Sequence, residues 1–269
     1  MDQVSLLYHD VVRGDPAGSG FRSADADSYK LDEARFTAHL DRIAAIRNAS
    51  VQLVTPSGDP ERRAGAAPVL LTFDDGGVSA DEPTTQLLEA RGWRGHFYIV
   101  TARIGEPGFL TREQIRSLHD RGHHVGSHSH THPTRISDLG DAALLEEWSE
   151  SRRILTDILG TPPFSVSVPG GFYSKRVARA VRQAGYTVLF NSEPTARTHR
   201  LDGLAILGRY GIKRETSPEQ AEALARGDFA PRARQALIWG AKKPLKKVGG
   251  TAWFKFRQWF FARRQRDAS

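Results

Sequence analysis

The chain has 269 residues, of which 39% are hydrophobic and 26% charged, proportions typical of a soluble globular protein that exclude a fibrous or wholly disordered chain. It contains no cysteine, which excludes disulfides and thiolate chemistry, so any transition-metal site must use His, Asp or Glu. The net charge of +7 is unevenly placed, because residues 231–269 hold eleven Lys or Arg and one acid, leaving 1–230 at −3. This asymmetry predicts a catalytic domain, residues 1–230, followed by a basic, aromatic tail, residues 231–269.

The first residues and the hydropathy bear on where the protein works. The N-terminal segment carries an acid, Asp2, and only a short apolar stretch, so it has neither the basic start nor the long apolar core of a signal peptide. No run of eighteen or more apolar residues occurs, which predicts that no helix spans a membrane but leaves surface attachment open. We therefore expect a cytoplasmic protein, with peripheral attachment at the inner face of the membrane as an open alternative.

Hydrophobic patterning predicts a chain that alternates strands and helices. The apolar run at 4–8 indicates a strand, and Phe36, Leu40 and Ile43 at helical spacing indicate an amphipathic helix. Further strands are predicted at 69–73, 96–100, 124–127, 165–168, 187–190 and 205–209, with helices near 82–91 and from Thr111 (with Gln114 as its capping-box partner), Asp141 and Ser174. Repeated βα units of about 25 to 30 residues favour a parallel sheet, most simply a barrel, with chemistry at the carboxyl ends of the strands.

The first polar pair follows the predicted strand at 69–73. Asp74 and Asp75 end this strand and are followed by Gly76 and Gly77, which let the backbone turn sharply. Adjacent carboxylates at such a turn can diverge to different tasks, so that one binds a metal while the other stays free to act as a base.

The second polar pair, His128 and His132, lies just past the predicted strand at 124–127. The i, i+4 spacing predicts two imidazoles on one face of a helical turn, with His130 facing away and exposed. Two imidazoles and one carboxylate leave open positions on a zinc-like ion, where water is acidified and a carbonyl is polarised. Either pair alone is more often a solvated loop than a site, but both together, each after a predicted strand, indicate a metal centre.

Two segments around these pairs resemble motifs of the polysaccharide deacetylase family, the NodB-homology domain of carbohydrate esterase family 4. They are Thr72-Phe73-Asp74-Asp75-Gly76 and Gly126-Ser127-His128-Ser129-His130-Thr131-His132-Pro133. The resemblance covers residues 4–230 and implies an α/β fold, a distorted (β/α) barrel of about seven strands. It also implies that Asp74 is the general base and that Asp75, His128 and His132 bind a divalent metal, most often Zn²⁺. The implied reaction is attack of water on an acetyl carbonyl, with the metal and a backbone N–H stabilising the oxyanion.

The later motifs of the family are altered here. The third, Arg-x-Pro-aromatic-Gly, is represented by Ser167-Val168-Pro169-Gly170-Gly171, so the resemblance puts Pro169 and Gly170 at the substrate, with the oxyanion-hole N–H at Gly170. Ser167 replaces the Arg that usually orients the base. Asn191-Ser192-Glu193-Pro194 stands where the fourth motif has an Asp and a Trp, and Leu207-Gly208-Arg209-Tyr210 stands where the fifth has the His that is the usual acid.

Two charged residues are candidates for the missing orienting groups. Arg209 and Glu193 both follow predicted strands, and we expect them to form a substitute charge pair near Asp74, with Glu193 on the substrate side. Arg209 is accordingly placed in the catalytic centre.

The missing proton donor has one main candidate, His9. The segment Tyr8-His9-Asp10 ends the first strand and resembles the opening segment of deacetylases that act on exopolysaccharides. His9 is therefore a candidate acid or substrate contact, although a structural role accounts for it equally well. His199 is a weaker candidate in a predicted loop.

The tail combines basic with aromatic residues, which suits a membrane interface that carries anionic lipid. The residues concerned are Lys242, Lys243, Lys246, Lys247, Trp239, Trp253, Phe254, Phe256, Trp259, Phe260 and Phe261. Arg257 and Arg264 interrupt the aromatic face on a helical wheel, so a helix packed back on the barrel is an equal alternative. Nucleic acid is not expected as a partner, because 1–230 is acidic and no recognition motif accompanies the tail.

The sequence therefore predicts a metal-dependent hydrolase that removes an acetyl group from an N-acetylated sugar of a cell-surface glycan or its lipid-linked precursor. An O-acetyl esterase remains possible, since the same attack by water serves esters. The altered motifs also allow an inactive barrel that binds metal or saccharide, although a pure binding module has no need of Asp74. An amidase of the same fold acting on a small cyclic amide is a further alternative.

Overall fold

A computed structural model of the chain describes residues 3–61 and 67–248, with side chains as far as residue 241. The strands are β1 Val4–Tyr8, β2 Val11–Val12, β3 Leu31–Asp32, β4 Ala49–Val51, β5 Ala67–Phe73, β6 His96–Ile99, β7 His124–Ser127, β8 Ser165–Ser167, β9 Val188–Phe190, β10 His199–Leu201, β11 Leu204–Leu207 and β12 Tyr210–Gly211. The α-helices are α1 Ala24–Asp27, α2 Glu33–Ala44, α3 Gln86–Glu89, α4 Arg112–Asp120, α5 Asp141–Leu159, α6 Lys175–Gln183, α7 Pro218–Arg226 and α8 Phe229–Val248.

One curled sheet forms the centre of the fold. Its strand order is β10-β11-β9-β8-β7-β6-β5-β1-β12, with β4 beside the first half of β5, and all neighbours are parallel except β10 and β11. The seven strands β1, β5 to β9 and β11 make up a half-barrel that, in the described part of the chain, does not close between β10 and β12. The prediction of a distorted (β/α) barrel of about seven strands is therefore confirmed, with the barrel open.

Burial on both faces explains why the central strands have almost continuously apolar sequences. All five residues of β1 and all but the first of the seven residues of β5 are buried. On the outside, α2 buries Phe36, Leu40 and Ile43, as their spacing predicts, and packs against α7. This packing fixes the positions of the strand ends from which the following loops begin.

Local signals located most helices correctly. Both bonds of the predicted capping box between Thr111 and Gln114 are present, and Ser174 caps α6. His199, however, lies on β10 and not in a loop, because β10 folds back on β11 through a tight turn in which Asp202 and Gly203 have positive φ.

The last described helix, α8, begins at Phe229, two residues before the predicted start of the tail. No helix of the described residues is long and apolar enough to cross a membrane. The predicted lysine cluster from Lys242 lies where no side chains are described, and the aromatic residues from Trp253 onward lie outside the described residues. Contact with an anionic membrane thus stays a prediction for this part of the tail.

Candidate active site

The carboxyl ends of neighbouring strands bring the predicted polar residues together. Asp74 and Asp75 directly follow β5, and His128 directly follows β7. Because parallel strands end at the same edge of the sheet, these side chains converge, and Ser167 joins them as the last residue of β8. Asp74, Asp75 and His128 are buried.

Asp75, His128 and His132 form a compact cluster of metal-ligand atoms. Oδ1 of Asp75 lies 3.4 Å from Nε2 of His128 and 3.7 Å from Nε2 of His132. The three ligand atoms all lie within 4.8 Å of one another. Tetrahedral ligands placed about 2.1 Å from a zinc-type ion are about 3.4 Å apart, so the spacing and the donor set fit a small divalent ion.

A loop, and not the predicted helical turn, brings the two imidazoles together. Ser129 and His132 have left-handed backbone, with φ of 65° and 56°. Ser127 Oγ accepts the Ser129 N–H at 3.1 Å, and Ser129 Oγ accepts the His132 N–H at 3.1 Å. The helical prediction is wrong because these serine hydroxyls take the N–H groups that a helix would bond to its own carbonyls.

His130, expected to be exposed, is half-buried beside this loop. Its Nδ1 lies 3.0 Å from Thr101 Oγ1, and its N–H and that of Thr131 donate to the Glu147 carboxylate at 3.0 and 2.9 Å. Glu147 on α5 therefore holds the loop from the side away from the metal cluster.

The main chain of β8 fixes which ring nitrogen of one ligand carries the proton in its neutral form. His128 Nδ1 lies 2.8 Å from the Ser167 carbonyl oxygen, which can only accept, so Nδ1 carries the proton. The lone pair of neutral His128 is then on Nε2, which points at Asp75. This outer contact orients the ring for metal binding in the way typical of metal-ligating histidines.

Asp74 is held by a buried, two-pronged ion pair with Arg209. Nη1 of Arg209 donates to Oδ1 at 2.8 Å, and Nη2 donates to Oδ2 at 2.9 Å. Ser167 completes the arrangement, since its Oγ donates to Asp74 Oδ2 at 2.9 Å and accepts from Arg209 Nη2 at 2.7 Å. Arg209 is fully buried, and its Nε donates to the Asn191 carbonyl at 3.0 Å. Asp74 thus has a fixed position 3.8 Å from His128 Nε2.

Arg209 lies beside Asp74, as predicted, but the expected charge pair with Glu193 is wrong. The guanidinium donates to Asp74, Ser167 and other buried oxygens. Glu193 contacts Arg209 through the main chain, where the Glu193 carbonyl accepts the Arg209 N–H at 2.9 Å. The reason is that Arg209 points into the barrel, where the Asp74 carboxylate is the nearest anion.

Electrostatics keep both carboxylates ionised. Burial alone raises the pKa of Asp74, but the charges of Arg209 and His128 outweigh it and hold the pKa below its usual value. Burial is likewise outweighed at Asp75 by the bond from His128 and by nearby histidines, which leaves the pKa of Asp75 well below its usual value. Burial and the nearby His128 lower the pKa of His132 to about 4, so His132 is neutral and able to bind a metal near neutral pH.

A cavity of about 700 Å³ opens onto the cluster. Its wall includes all four central residues together with His9 and Gly170. Pro169 is buried, and neither Pro169 nor Glu193 belongs to the wall that the described residues form. Direct contact of these two residues with a substrate stays a prediction.

His9 faces the same cavity from the end of β1. Its ring packs on Tyr29 with centroids 4.7 Å apart, and its Nδ1 is buried without a hydrogen-bond partner among the described residues. His9 is thus placed where a substrate contact or a proton donor is needed.

Two features of the site were missed by sequence reasoning. The first is the loop that carries Phe21, whose ring packs on the His132 ring with centroids 4.9 Å apart. Buried Lys30 holds this loop, because its ammonium donates to the Pro16 and Phe21 carbonyls, each at 2.7 Å. The second feature concerns α8. Packing of the tail on the barrel was one of the two predicted alternatives, and Gln235 and Trp239 contact Gly211 and Gly171. What was not predicted is that the inner face of this helix lines the cavity, with Pro231, Arg234, Gln235, Ile238 and Trp239. The helical spacing of these five residues is the signal that could have revealed this face.

The fold is similar to that of solved deacetylase structures. The structure is similar to the Streptococcus pyogenes deacetylase PplD in complex with acetate, with TM-score 0.68 and 18% identity over 81% of this chain and 96% of PplD. It is also similar to a polysaccharide deacetylase from Bacillus cereus, with TM-score 0.70 and 19% identity over 84% of this chain and 69% of that one. At these identities the likeness establishes the fold.

Sequence comparison finds related proteins. Residues 61–189 match the family model described as polysaccharide deacetylase. The chain is 22% identical over 212 residues to YxkH of Bacillus subtilis (strain 168), named a polysaccharide deacetylase, covering 77% of this chain and 70% of YxkH. It is 28% identical over 115 residues to the peptidoglycan-N-acetylglucosamine deacetylase PgdA of Listeria monocytogenes, covering 42% of this chain and 23% of PgdA. The polysaccharide deacetylase model thus matches just under half of the chain, and the recognition from the two motifs is confirmed.

Proposed function

We propose that this protein is a divalent-metal-dependent N-deacetylase that removes an acetyl group from an N-acetylated sugar of a cell-surface glycan or its precursor. The observation that carries the proposal is the position of Asp74, an ionised carboxylate held by Arg209 beside the Asp75, His128 and His132 cluster at the floor of a cavity. The relative PgdA, named a peptidoglycan-N-acetylglucosamine deacetylase, supports an amide-linked acetyl group as the target.

The metal centre would consist of Asp75, His128 and His132, and Zn²⁺ is the ion we propose. Bound there, the ion would polarise the acetyl carbonyl and make water a better nucleophile. Asp74 takes the proton of the attacking water, because it is ionised and its position is fixed by two N–H donors and one hydroxyl. Water adds to the carbonyl carbon, the C–N bond breaks, and acetate and a free amine are formed.

The oxyanion that forms on the carbonyl needs donors besides the metal. Gly170 lies in the cavity wall with φ of 59°, and a Cβ at this position would lie 3.0 Å from the Phe172 ring. The left-handed backbone and the Phe172 ring both favour glycine here, and its position in the cavity wall supports Gly170 as the oxyanion-hole residue.

The leaving nitrogen needs a proton, and we propose His9 as the donor. His9 lines the same cavity as Asp74 and Asp75, and its charge contributes to lowering the pKa of both carboxylates, so it lies electrostatically close to the reacting group. Replacing His9 by Gln is expected to reduce kcat, while KM and metal content stay unchanged.

The proposed activity is tested by acetate release from N-acetylated and O-acetylated oligosaccharides after the protein is loaded with one equivalent of Zn²⁺. Wild type is expected to act on the amides, and Asp74→Asn is expected to bind the metal stoichiometrically but lose about 10²- to 10⁴-fold in kcat. His132→Gln is the matched control that should lose metal and activity together.

Other outcomes identify the alternatives. Release from O-acetylated substrates alone would favour an esterase. Stoichiometric metal with no release from any substrate would favour the inactive binding barrel and overturn the proposal.

A further inference from the structure

The outer wall of the active-site cavity carries an excess of positive charge. Arg22, Lys213 and Arg234 line it from three separate elements, against one carboxylate outside the catalytic centre, Asp25. Among the described residues, none of these three cations has a carboxylate within ion-pair distance. Nearby Arg42, outside the cavity, pairs with Glu219 and Glu222, so counter-ions are available on this side of the molecule.

Each cation lies next to a residue that borders the catalytic centre. Arg22 follows Phe21, whose ring packs on the metal ligand His132 at 4.9 Å. Lys213 Nζ lies 5.4 Å from the centre of the Tyr29 ring, and that ring packs on His9. The positive charges therefore border the space that a substrate's neighbouring groups must occupy.

Arg234 approaches from the opposite wall, on α8. It shares the inner face of this helix with Trp239, which packs so closely on Gly171 that a Cβ there would lie 3.1 Å from the indole ring. The helix is thus seated next to the loop that follows β8, and the exposed side chain of Arg234 extends from this helix.

We propose that the substrate is an anionic N-acetylated saccharide, whose phosphate or carboxylate group is bound by Arg22, Lys213 and Arg234 beside the acetylated sugar. The proposal rests on the deacetylase function proposed above and names its substrate class. Cations that line a concave cavity attract anions and orient them, and guanidinium groups match phosphate and carboxylate geometry.

The test uses binding and turnover as separate readouts on the metal-loaded, full-length protein. The probes are N-acetylglucosamine 1-phosphate, a disaccharide of N-acetylglucosamine and glucuronic acid, and neutral di-N-acetylchitobiose. We expect wild type to bind at least one anionic probe about tenfold or more tighter than the neutral one, with a preference that weakens as salt is added. Whichever anionic probe binds tighter identifies phosphate or carboxylate as the group recognised.

The triple variant Arg22→Gln/Lys213→Gln/Arg234→Gln should lose this preference and keep its affinity for the neutral probe. Arg179→Gln, which removes an exposed arginine on α6 outside the cavity, is the control that should behave as wild type. Equal binding of neutral and anionic probes by wild type, or an unchanged preference in the triple variant, would overturn the proposal. A preference that is lost in the variant, without acetate release from any probe, would uphold the anion site and reject the deacetylase function.

Discussion

The hydroxyl of Ser167 lies 2.7 Å from Nη2 of Arg209, although the two residues belong to different strand ends. Ser167 occupies the position at which the family motif has its orienting Arg, and Arg209 supplies a guanidinium to Asp74 from the segment after β11. A small residue at 167 leaves room for this group, and its hydroxyl bridges Asp74 and Arg209. The orienting charge has thus moved along the chain while its partner carboxylate stays in place.

Removing this charge should impair both stability and catalysis. Arg209→Ser leaves Asp74 buried without its ion pair, for which a loss of about 3 to 5 kcal/mol in the free energy of unfolding is expected. The pKa of Asp74 should rise because its main favourable charge is gone, so the base is protonated up to a higher pH and the acidic limb of the kcat/KM profile should shift to higher pH. Denaturant unfolding and a pH series of acetate release measure the two effects.

The control for this variant is the double substitution Ser167→Arg/Arg209→Ser, which puts the guanidinium back at the family position. It should recover at least part of the lost turnover and return the acidic limb towards that of wild type. An Arg209→Ser protein with wild-type turnover and an unmoved limb would contradict the positioning role of Arg209.

Lys30 should determine how well the loop over the metal cluster is ordered. Its buried ammonium donates to the Pro16 and Phe21 carbonyls and pairs with Asp27 at 3.1 Å. Lys30→Met leaves these oxygens unsatisfied, and each lost bond to a charged group is worth about 1.5 to 3 kcal/mol. We expect lower stability and, because Phe21 loses its support against His132, weaker Zn²⁺ binding in competition with a chelator.

The control is Asp27→Asn, which keeps both carbonyl bonds of Lys30. It should have a smaller effect on stability and metal affinity than Lys30→Met. If both variants bind Zn²⁺ as tightly as wild type, the loop does not support the metal site.

Gly171 should be required for α8 to sit against the barrel. It has φ of 65°, and a Cβ there would lie 2.9 Å from the Ser192 side chain and 3.1 Å from Trp239. Gly171→Ala should therefore cost about 1 to 3 kcal/mol in unfolding free energy. It should also raise KM more than it lowers kcat, since α8 forms one wall of the cavity.

Gly240→Ala on α8 itself is the matched control. Among the residues whose side chains are described, nothing lies within 4 Å of a Cβ at Gly240, so the helix should be stabilised by up to about 1 kcal/mol. Equal KM values for the two variants would show that the seating of α8 does not shape the cavity.

Buried histidines should make the metal-free protein less stable as the pH falls below 6.5. His96 is buried with Nε2 accepting the Val54 N–H at 2.9 Å and Nδ1 donating to Leu71 O at 3.1 Å, and burial lowers its pKa to about 4. Between pH 6.5 and 4 the unfolded chain binds a proton that folded His96 does not, so stability falls as the pH falls through this window.

His96 alone should account for about 2 kcal/mol at pH 5 relative to pH 7. The measurement is denaturant unfolding in the presence of a chelator at both values. Burial also lowers the pKa values of four other histidines, which therefore make the protein less stable at low pH in the same way: His39, His123, His124 and His132. The pKa of His128, in contrast, is raised. His96→Gln should reduce the difference in unfolding free energy between pH 5 and pH 7. His199→Gln, at an exposed position, should leave this difference unchanged. An equal reduction in both variants would contradict the assignment to His96.

The sequence by itself determined the parts of this protein that depend on local pattern. Alternating apolar and amphipathic segments gave the order of strands and helices, and because parallel strands end on one edge, they also placed Asp74, Asp75 and His128 together. Capping residues such as Thr111 located helix starts correctly, since a cap depends on neighbours within four residues.

Only the tertiary structure decided the relationships between residues distant in the chain. Arg209 and Asp74 are 135 positions apart in the chain. No local sequence pattern distinguishes their pairing from the expected pairing of Arg209 with Glu193. The backbone at His132 is left-handed, and serine side chains accept the N–H groups of the loop that contains it. The i, i+4 spacing of the two histidines cannot show this loop conformation. The packing of α8 over the cavity likewise depends on the space at Gly171, because the shape of a surface is set by every element that meets there.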